Sequence, residues 1–550
     1  MAFQFIKLLT GTLHSKCGKG DKKRYFILLI TLLFVLSSTV PDTDAQEKDD
    51  NVSFEIIGFT IEGNSLLTEG MLLDVLTPFT GKAKTALDVE KARDVLESFY
   101  HNKGYPTVLV NIPEQTVEDG LVRLHVIESR IKEVKVSGNR FYTRESIRKR
   151  LPSLEPGEVI YMPRLQREFA VANRSPDMKI SPILIPGKEM GTIDIELKVD
   201  DKLPLHGSLE LNNRSTHTTS DLRLNGSIRY DNLWQREHSL SIQYQTSPED
   251  PGEVQLLAES YVFSAPWNPG HVIALYAVWA DSDTAFGDGF QVIGKGKIFG
   301  ARYIMPLPSL EKFSHNITIG IDYKDFDEDV SFSESEEEGL KTPIAYLPLL
   351  ISYSATKDDG DSRTQFSLGL NMAFRNLVTD QREFEIKRFK ARGNYLYATA
   401  GIERLQKLPF KMSLFAKLDG QIADQPLISN EQYVAGGMES VRGYQESELS
   451  GDNALHGSLE IIFPETGSPF GFPEKLKGTP YLFYDLAELW KKDPLPEEER
   501  SQFIHGTGAG IRGAITDNFD YVIDGALALK DTEDVRRGHY HFYFKAKYQF

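Results

Sequence analysis

Thiols are nearly absent from this chain: 550 residues carry one cysteine, Cys17. It precedes the apolar stretch of the N-terminus, whereas a lipidated cysteine follows such a stretch, so no lipid attachment is expected there. Once a leader is removed, the rest holds no thiol. That excludes a disulfide framework, a thiolate metal site and a cysteine nucleophile together. Long apolar runs are also lacking. Beyond Ala45 no stretch approaches the ~18 apolar residues of a transmembrane helix. A membrane role then demands a closed barrel, because lipid tolerates no unpaired backbone edge. Positive charge is in deficit, with 62 Lys+Arg against 79 Asp+Glu and a formal net charge of -17. This removes the basic stripe with which nucleic-acid binders displace counterions, so no nucleic-acid partner is expected. His-Glu-x-x-His, Gly-x-Ser-x-Gly and phosphate-loop patterns are missing too. No catalytic residue, metal or cofactor is therefore assigned.

The N-terminus itself reads as a secretory signal over residues 1–45. Lys16, Lys19, Lys22, Lys23 and Arg24 form a basic region, the apolar stretch Tyr25 to Val40 follows, and Thr43-Asp44-Ala45 offers small residues for cleavage after Ala45. The strongly apolar core, roughly a dozen residues, is short for a membrane span. A short segment, 46–53, comes before the first regular element.

Residues 54–129 and 130–201 read as two copies of one module. Phe59-Thr60-Ile61-Glu62-Gly63-Asn64 reappears as Val134-Lys135-Val136-Ser137-Gly138-Asn139, each an alternating strand closed by a Gly-Asn turn. Thr68 and Thr143 stand where each would cap a short helix. A second helix follows; in the first copy Asp88 is placed to cap it, with Val89, Ala92, Leu96 and Phe99 on one face and Gly104 at its end. Two strands finish each copy, Val108 to Pro113 with Leu121 to Glu128, then Ile180 to Pro186 with Thr192 to Val199. The order is β-α-α-β-β, twice. Such a sheet leaves an edge on which an extended peptide can add as a further strand.

From about residue 205 the helical period gives way to alternation. At the C-terminus Tyr540, Phe542, Phe544, Ala546, Tyr548 and Phe550 share one parity, and His541, Tyr543, Lys545, Lys547 and Gln549 the other. About sixteen such segments fill residues 203–550. Most long connectors follow odd-numbered segments, at 325 to 345, 375 to 391, 421 to 453 and 489 to 504, while 464 to 479 breaks the rule. This asymmetry, with an even strand count, is that of an antiparallel transmembrane barrel with short periplasmic turns. The fold class is thus mainly β: two small modules, then a 16-stranded barrel wide enough for an aqueous lumen. Gly508, Gly510 and Gly513 satisfy Gly-x-Gly-x-x-Gly, but no βαβ unit surrounds them, so they are read as barrel strand. His539 and His541 are read as polar lumen residues, and the acidic stretch Asp325 to Glu338 as a solvated outer loop.

Several short motifs lie on this frame. Val441-Arg442-Gly443-Tyr444, preceded by Tyr433-Val434-Ala435-Gly436-Gly437, sits in the long connector 421–453. Phe483-Tyr484-Asp485-Leu486-Ala487 falls on the thirteenth segment, and a glycine-rich run holding Gly506, Gly508 and Gly510 on the next. Together these resemble the two-partner secretion transporters (the haemolysin secretion/activation group) of the Omp85 superfamily, and the two modules resemble its periplasmic POTRA domains. The resemblance implies that the loop folds back into the lumen and that Arg442 meets Asp485. Ala487 departs from the glycine of the family's F-x-D-x-G pattern, which puts the closeness of loop packing there in question. The resemblance also implies an outer-membrane pore, set in lipid, that exports an unfolded partner protein recognised through an N-terminal secretion domain. The second module's Leu165, Phe169, Ile180, Ile183 and Ile185 are the expected capture surface. Phe550, ending the chain on a strand, is expected to be the signal read by the barrel assembly machinery. Family members commonly carry a plug helix before the first POTRA domain. Only about eight residues separate Ala45 from the first strand, so gating by the loop alone is expected. The competing expectation is an assembly factor that inserts other barrels, which would carry more such modules.

Overall fold

The computed structural model describes residues 53–550 except 118, 282–283, 287–289, 293–294, 328, 331–339, 375–376, 379 and 468–476. The signal segment and most of the acidic stretch 325–338 lie outside the described residues. The chain forms two compact units, Met1–Glu128 and Ser129–Phe550.

In the first unit, Gly58–Glu62 runs parallel to Leu121–Glu128, which pairs antiparallel with Val108–Asn111. A separate ribbon joins Phe54–Ile56 to Gly81–Lys84, and the latter strand has no counterpart in the expected β-α-α-β-β order. Helices Glu69–Leu76 and Ala86–Asn102 cover the sheet. The longer one buries Val89, Ala92 and Leu96, and Tyr100 completes its buried stripe in place of the half-buried Phe99. Its N-cap is Thr85, not Asp88. Asp88 sits one turn in and accepts hydrogen bonds from the Thr85 N–H at 2.9 Å and the Thr85 hydroxyl at 3.0 Å, a capping box. The Thr85 N–H, and next its hydroxyl, hold the Asp88 carboxyl below its usual range.

The second unit opens with the second copy. Arg130–Ser137 runs parallel to Thr192–Asp201, and Met178–Pro186 pairs antiparallel on the other side of that strand. The copies agree in chemistry as well as order. Gly63 and Gly138 both adopt φ near +84°, at +83° and +84°, and a Cβ on either would strike a carbonyl oxygen, that of Val126 or of Val199. Asn64 Nδ2 donates to the Leu67 carbonyl and Asn139 Nδ2 to the Tyr142 carbonyl, each at 2.8 Å. A carboxylate ending the last strand then collects loop N–H groups. Glu128 takes those of Ser65 and Leu66; Asp201 takes those of Arg140, Phe141 and Tyr142. Thr143 caps its helix through Ser146 N, whereas Thr68, equivalently placed, makes no side-chain cap.

Sixteen antiparallel strands then close into a barrel, from Leu205–Asn212 to Tyr540–Gln549. The eighth is built from Ile344–Tyr346 and Pro348–Asp358, the twelfth from Asn453–Ile462 and Thr466–Gly467. First and last strands meet over Ser208–Asn212 and Lys545–Gln549. The Asn213 side chain prolongs that seam, donating to the Phe542 carbonyl at 2.7 Å and accepting from Phe544 N at 2.8 Å. The sixth strand begins at Gly296 rather than near 289, because Thr284–Phe286 and Phe290–Val292 form their own hairpin. The irregular connector 464 to 479 is partly hairpin: Thr466 and Gly467 pair with Gly478 and Lys477. Helix Gln381–Lys387, on the ninth connector, has no counterpart in the sequence reading.

Candidate functional site

The connector after the eleventh strand, Ser413–Ala423, turns inward and brings residues 433–451 against the barrel wall. A short ribbon, Tyr433–Ala435 with Leu449–Gly451, forms its stem. At its tip Val441, Arg442, Gly443 and Tyr444 are all buried. Val441 and Tyr444 pack with Ala487, Leu489, Ile504 and Ala528 of the thirteenth to fifteenth strands. The tip is therefore an interior element, not a solvated loop. Ala487, which stands in place of the family's glycine, is itself fully buried in this contact.

Arg442 is 5% exposed and Asp485 is inaccessible. The guanidinium grips Asp485 with both prongs, Nε to Oδ2 at 2.6 Å and Nη2 to Oδ1 at 2.9 Å. Arg442 N adds a third bond to Oδ2 at 3.2 Å, and Ser458 Oγ a fourth to Oδ1 at 2.7 Å. Nη1 donates to Glu460 Oε1 at 2.8 Å. The guanidinium carbon lies 3.6 Å from the centre of the Phe483 ring, so the ion is stacked as well as bonded. A buried pair offsets its desolvation only when geometry is good and the remaining bonding sites are filled. Here they are filled, and a planar fork on a carboxylate is the strong form of the contact.

The sequence reading had Arg442, Phe483 and Asp485 but missed three partners. Glu460 bridges Arg442 to Arg512, whose Nη2 donates at 3.0 Å. Asp524 lies 3.9 Å from Arg442 Nη1 and is hydrogen-bonded by the Tyr481 hydroxyl. Tyr543 ties the backbone: its hydroxyl accepts from Gly443 N at 2.9 Å and donates to the Tyr444 carbonyl at 2.5 Å. The available signal was parity. Glu460, Asp524 and Tyr543 all occupy inward positions of their strands, where a charge or phenol must find a partner.

The glycine-rich strand supplies the room. A Cβ at Gly506 would overlap the Arg442 carbonyl, and one at Gly508 would come within 2.6 Å of the Phe483 ring. At Gly510 it would meet Tyr481 and Asp524. Gly443, at φ +109°, brings the loop backbone against the end of the fifteenth strand, where a Cβ would lie 2.9 Å from Ala528 N.

The five residues expected to form a capture surface differ in exposure. Leu165 and Ile180 belong to the second repeat's core, 4% and 2% exposed, because both project between sheet and helix. Neither can therefore belong to a surface that meets a partner. Phe169 is half-buried against that core, and Ile183 and Ile185 are open on the edge strand, with Leu184 between them. Phe550 lies at the seam, exchanging backbone hydrogen bonds with Gly207 at 3.0 and 3.1 Å.

Comparison with known proteins places these features among relatives. Residues 54–129 match the POTRA domain of ShlB type, and residues 355–513 match the haemolysin secretion/activation protein family ShlB/FhaC/HecB. The chain is 20% identical over 471 residues to the heme/hemopexin transporter protein HuxB of Haemophilus influenzae, covering 83% of this chain and 80% of that one. It is 22% identical over 404 residues to the outer membrane transporter CdiB of Dickeya dadantii, covering 66% and 64%. In fold it resembles the solved structure of CdiB from Escherichia coli, at a TM-score of 0.59 and 16% identity, over 98% of this chain and 100% of that one.

Proposed function

Because this chain belongs to the two-partner secretion transporters of the Omp85 superfamily, we propose that its inserted loop is the gate of an outer-membrane secretion pore. The barrel is an outer-membrane pore that secretes a partner protein, with its POTRA domain in the periplasm. In the proposed cycle the partner arrives unfolded and its N-terminal secretion domain adds to an open strand edge. Met178–Pro186 suits this, since Ile183, Leu184 and Ile185 are each 43% exposed and only Thr192–Asp201 pairs with it among the described residues. The loop then leaves the lumen and the chain threads outward. No ATP drives the step; folding of the partner outside biases its direction. No residue of this chain acts as a catalyst. The outward face rests in lipid, and Phe550 is the mark by which the assembly machinery receives the new barrel.

The observation that carries this reading is the Arg442–Asp485 fork, a buried, breakable contact that ties the tip of the loop to the barrel wall. The test is export of the partner from cells carrying Arg442→Ala or Ile183→Asp with Ile185→Asp, measured beside the amounts of other outer-membrane proteins. Loss of export with normal barrel levels supports a secretion gate and a capture edge. Loss of other barrels with normal export would favour an assembly factor instead.

A further inference from the structure

The stem of the same loop is tied to a different arc of the wall. Glu431 ends the turn Ser429–Glu431 and is 4% exposed. Its Oε1 accepts from Lys324 Nζ at 2.6 Å and from the Tyr346 hydroxyl at 2.7 Å, and its Oε2 from the Tyr397 hydroxyl at 2.8 Å. These donors stand on the seventh, eighth and tenth strands, whereas Arg442 engages the twelfth and thirteenth. Three donors from three strands converge on one carboxylate that the loop alone contributes.

The loop's other leg is fixed beside it. Asp452, inaccessible to solvent, takes Leu427 N at 2.8 Å, Gln432 Nε2 at 3.0 Å and Lys492 N at 2.7 Å. Gln421 Nε2 reaches both the Glu431 and the Asp452 carbonyls, at 3.1 and 3.2 Å. The packing around Glu431 is apolar and aromatic, with Tyr346, Leu427, Ile428 and Phe384 in one cluster. A carboxylate in that setting is stable only while its donors stay in place.

We propose that Glu431 is a second latch, a positioning residue that holds the loop's stem in the lumen independently of Arg442. The inference rests on the reading of the loop as gate. It divides opening into two separable releases. Breaking the fork at Arg442 frees the tip, but the stem stays against the seventh to tenth strands. Either release alone opens the pore in part, and the lumen clears fully only when the fork and the Glu431 donors are both lost. Lys324 is the decisive donor, because it alone brings a full charge to the carboxylate; the phenols orient it.

The test is the open fraction of the purified full-length protein in planar lipid bilayers at fixed voltage. Glu431→Gln and Lys324→Met should each raise it on the order of tenfold, the usual effect of losing a charge-assisted hydrogen bond. Lys324→Arg should restore the closed state. Combining Glu431→Gln with Arg442→Ala should open the pore further than either alone. Heat-shifted gel migration verifies that each barrel is folded, and Lys324→Met alters the latch without touching the loop. Wild-type closure in both Glu431→Gln and Lys324→Met, with Arg442→Ala open, overturns the second latch and leaves the gate reading intact. Closure in all three, Arg442→Ala included, overturns both.

Discussion

The twelfth and thirteenth barrel strands show two opposed kinds of surface on one backbone. Outward, Leu455, Leu459, Leu482 and Tyr484 are 39–49% exposed and need only be apolar. Inward, one residue away each time, His456, Glu460, Phe483 and Asp485 are at most 6% exposed and each has a specified partner. The outward face is held by a solvent and tolerates exchange. The inward face is held by named atoms and tolerates little. This contrast is why one face announces itself by period alone while the other has to be read residue by residue.

Three substitutions probe the contrast, in falling order of effect. Asp485→Ala leaves Arg442 and Glu460 as a strained remnant of the fork. Breaking one side of a buried pair costs about 3–5 kcal/mol. Protease cleavage within residues 433–451 should therefore rise on the order of a hundredfold or more in a barrel that still migrates as folded. An unchanged rate would erase the distinction between the faces. Leu459→Arg should lower barrel stability by about 2–4 kcal/mol, read from the urea midpoint, and leave loop cleavage as it was. If loop cleavage rose equally, the two faces would be energetically coupled.

The smallest effect lies outside the barrel. The Asp88 carboxyl is depressed by its bonds from Thr85. A group of that kind stabilises above the ordinary carboxylate range, and the gain is lost as pH falls through its folded value. Asp88→Asn should flatten the acid limb of the first repeat's thermal midpoint and change nothing at Arg442. It provides a measure of what a solvated carboxylate is worth beside Asp485.

Much of this molecule was legible in its sequence, for physical reasons. Period-two alternation located sixteen strands, because each must be apolar toward lipid. The Gly-Asn turns at Gly63 and Gly138 disclosed the repeat, because both need a left-handed residue pressed on a carbonyl. Arg442, Phe483 and Asp485 came from motif resemblance, not from period. Glu460, Asp524, Tyr543 and Glu431 were not found, since their partners lie on other strands and only closure of the barrel brings them together. Leu165 and Ile180 were misjudged because an apolar residue on a small sheet and helix looks the same whether it faces the core or a peptide. The sixth strand was begun too early because Phe290–Val292, just before it, is a short strand that pairs separately with Thr284–Phe286.

The central claim is that the tip of the loop is packed inside the barrel. It is tested most directly by labelling Val441→Cys, in a Cys17→Ser background, with a membrane-impermeant maleimide added to intact cells. Val441 is inaccessible, whereas the Asp534 side chain, on the outer connector after the fifteenth strand, is 58% exposed and serves as the control position. The account predicts fast labelling of Asp534→Cys, slow labelling of Val441→Cys, and acceleration of the latter when Arg442→Ala is added. Equal, fast labelling at both positions without that change would contradict it.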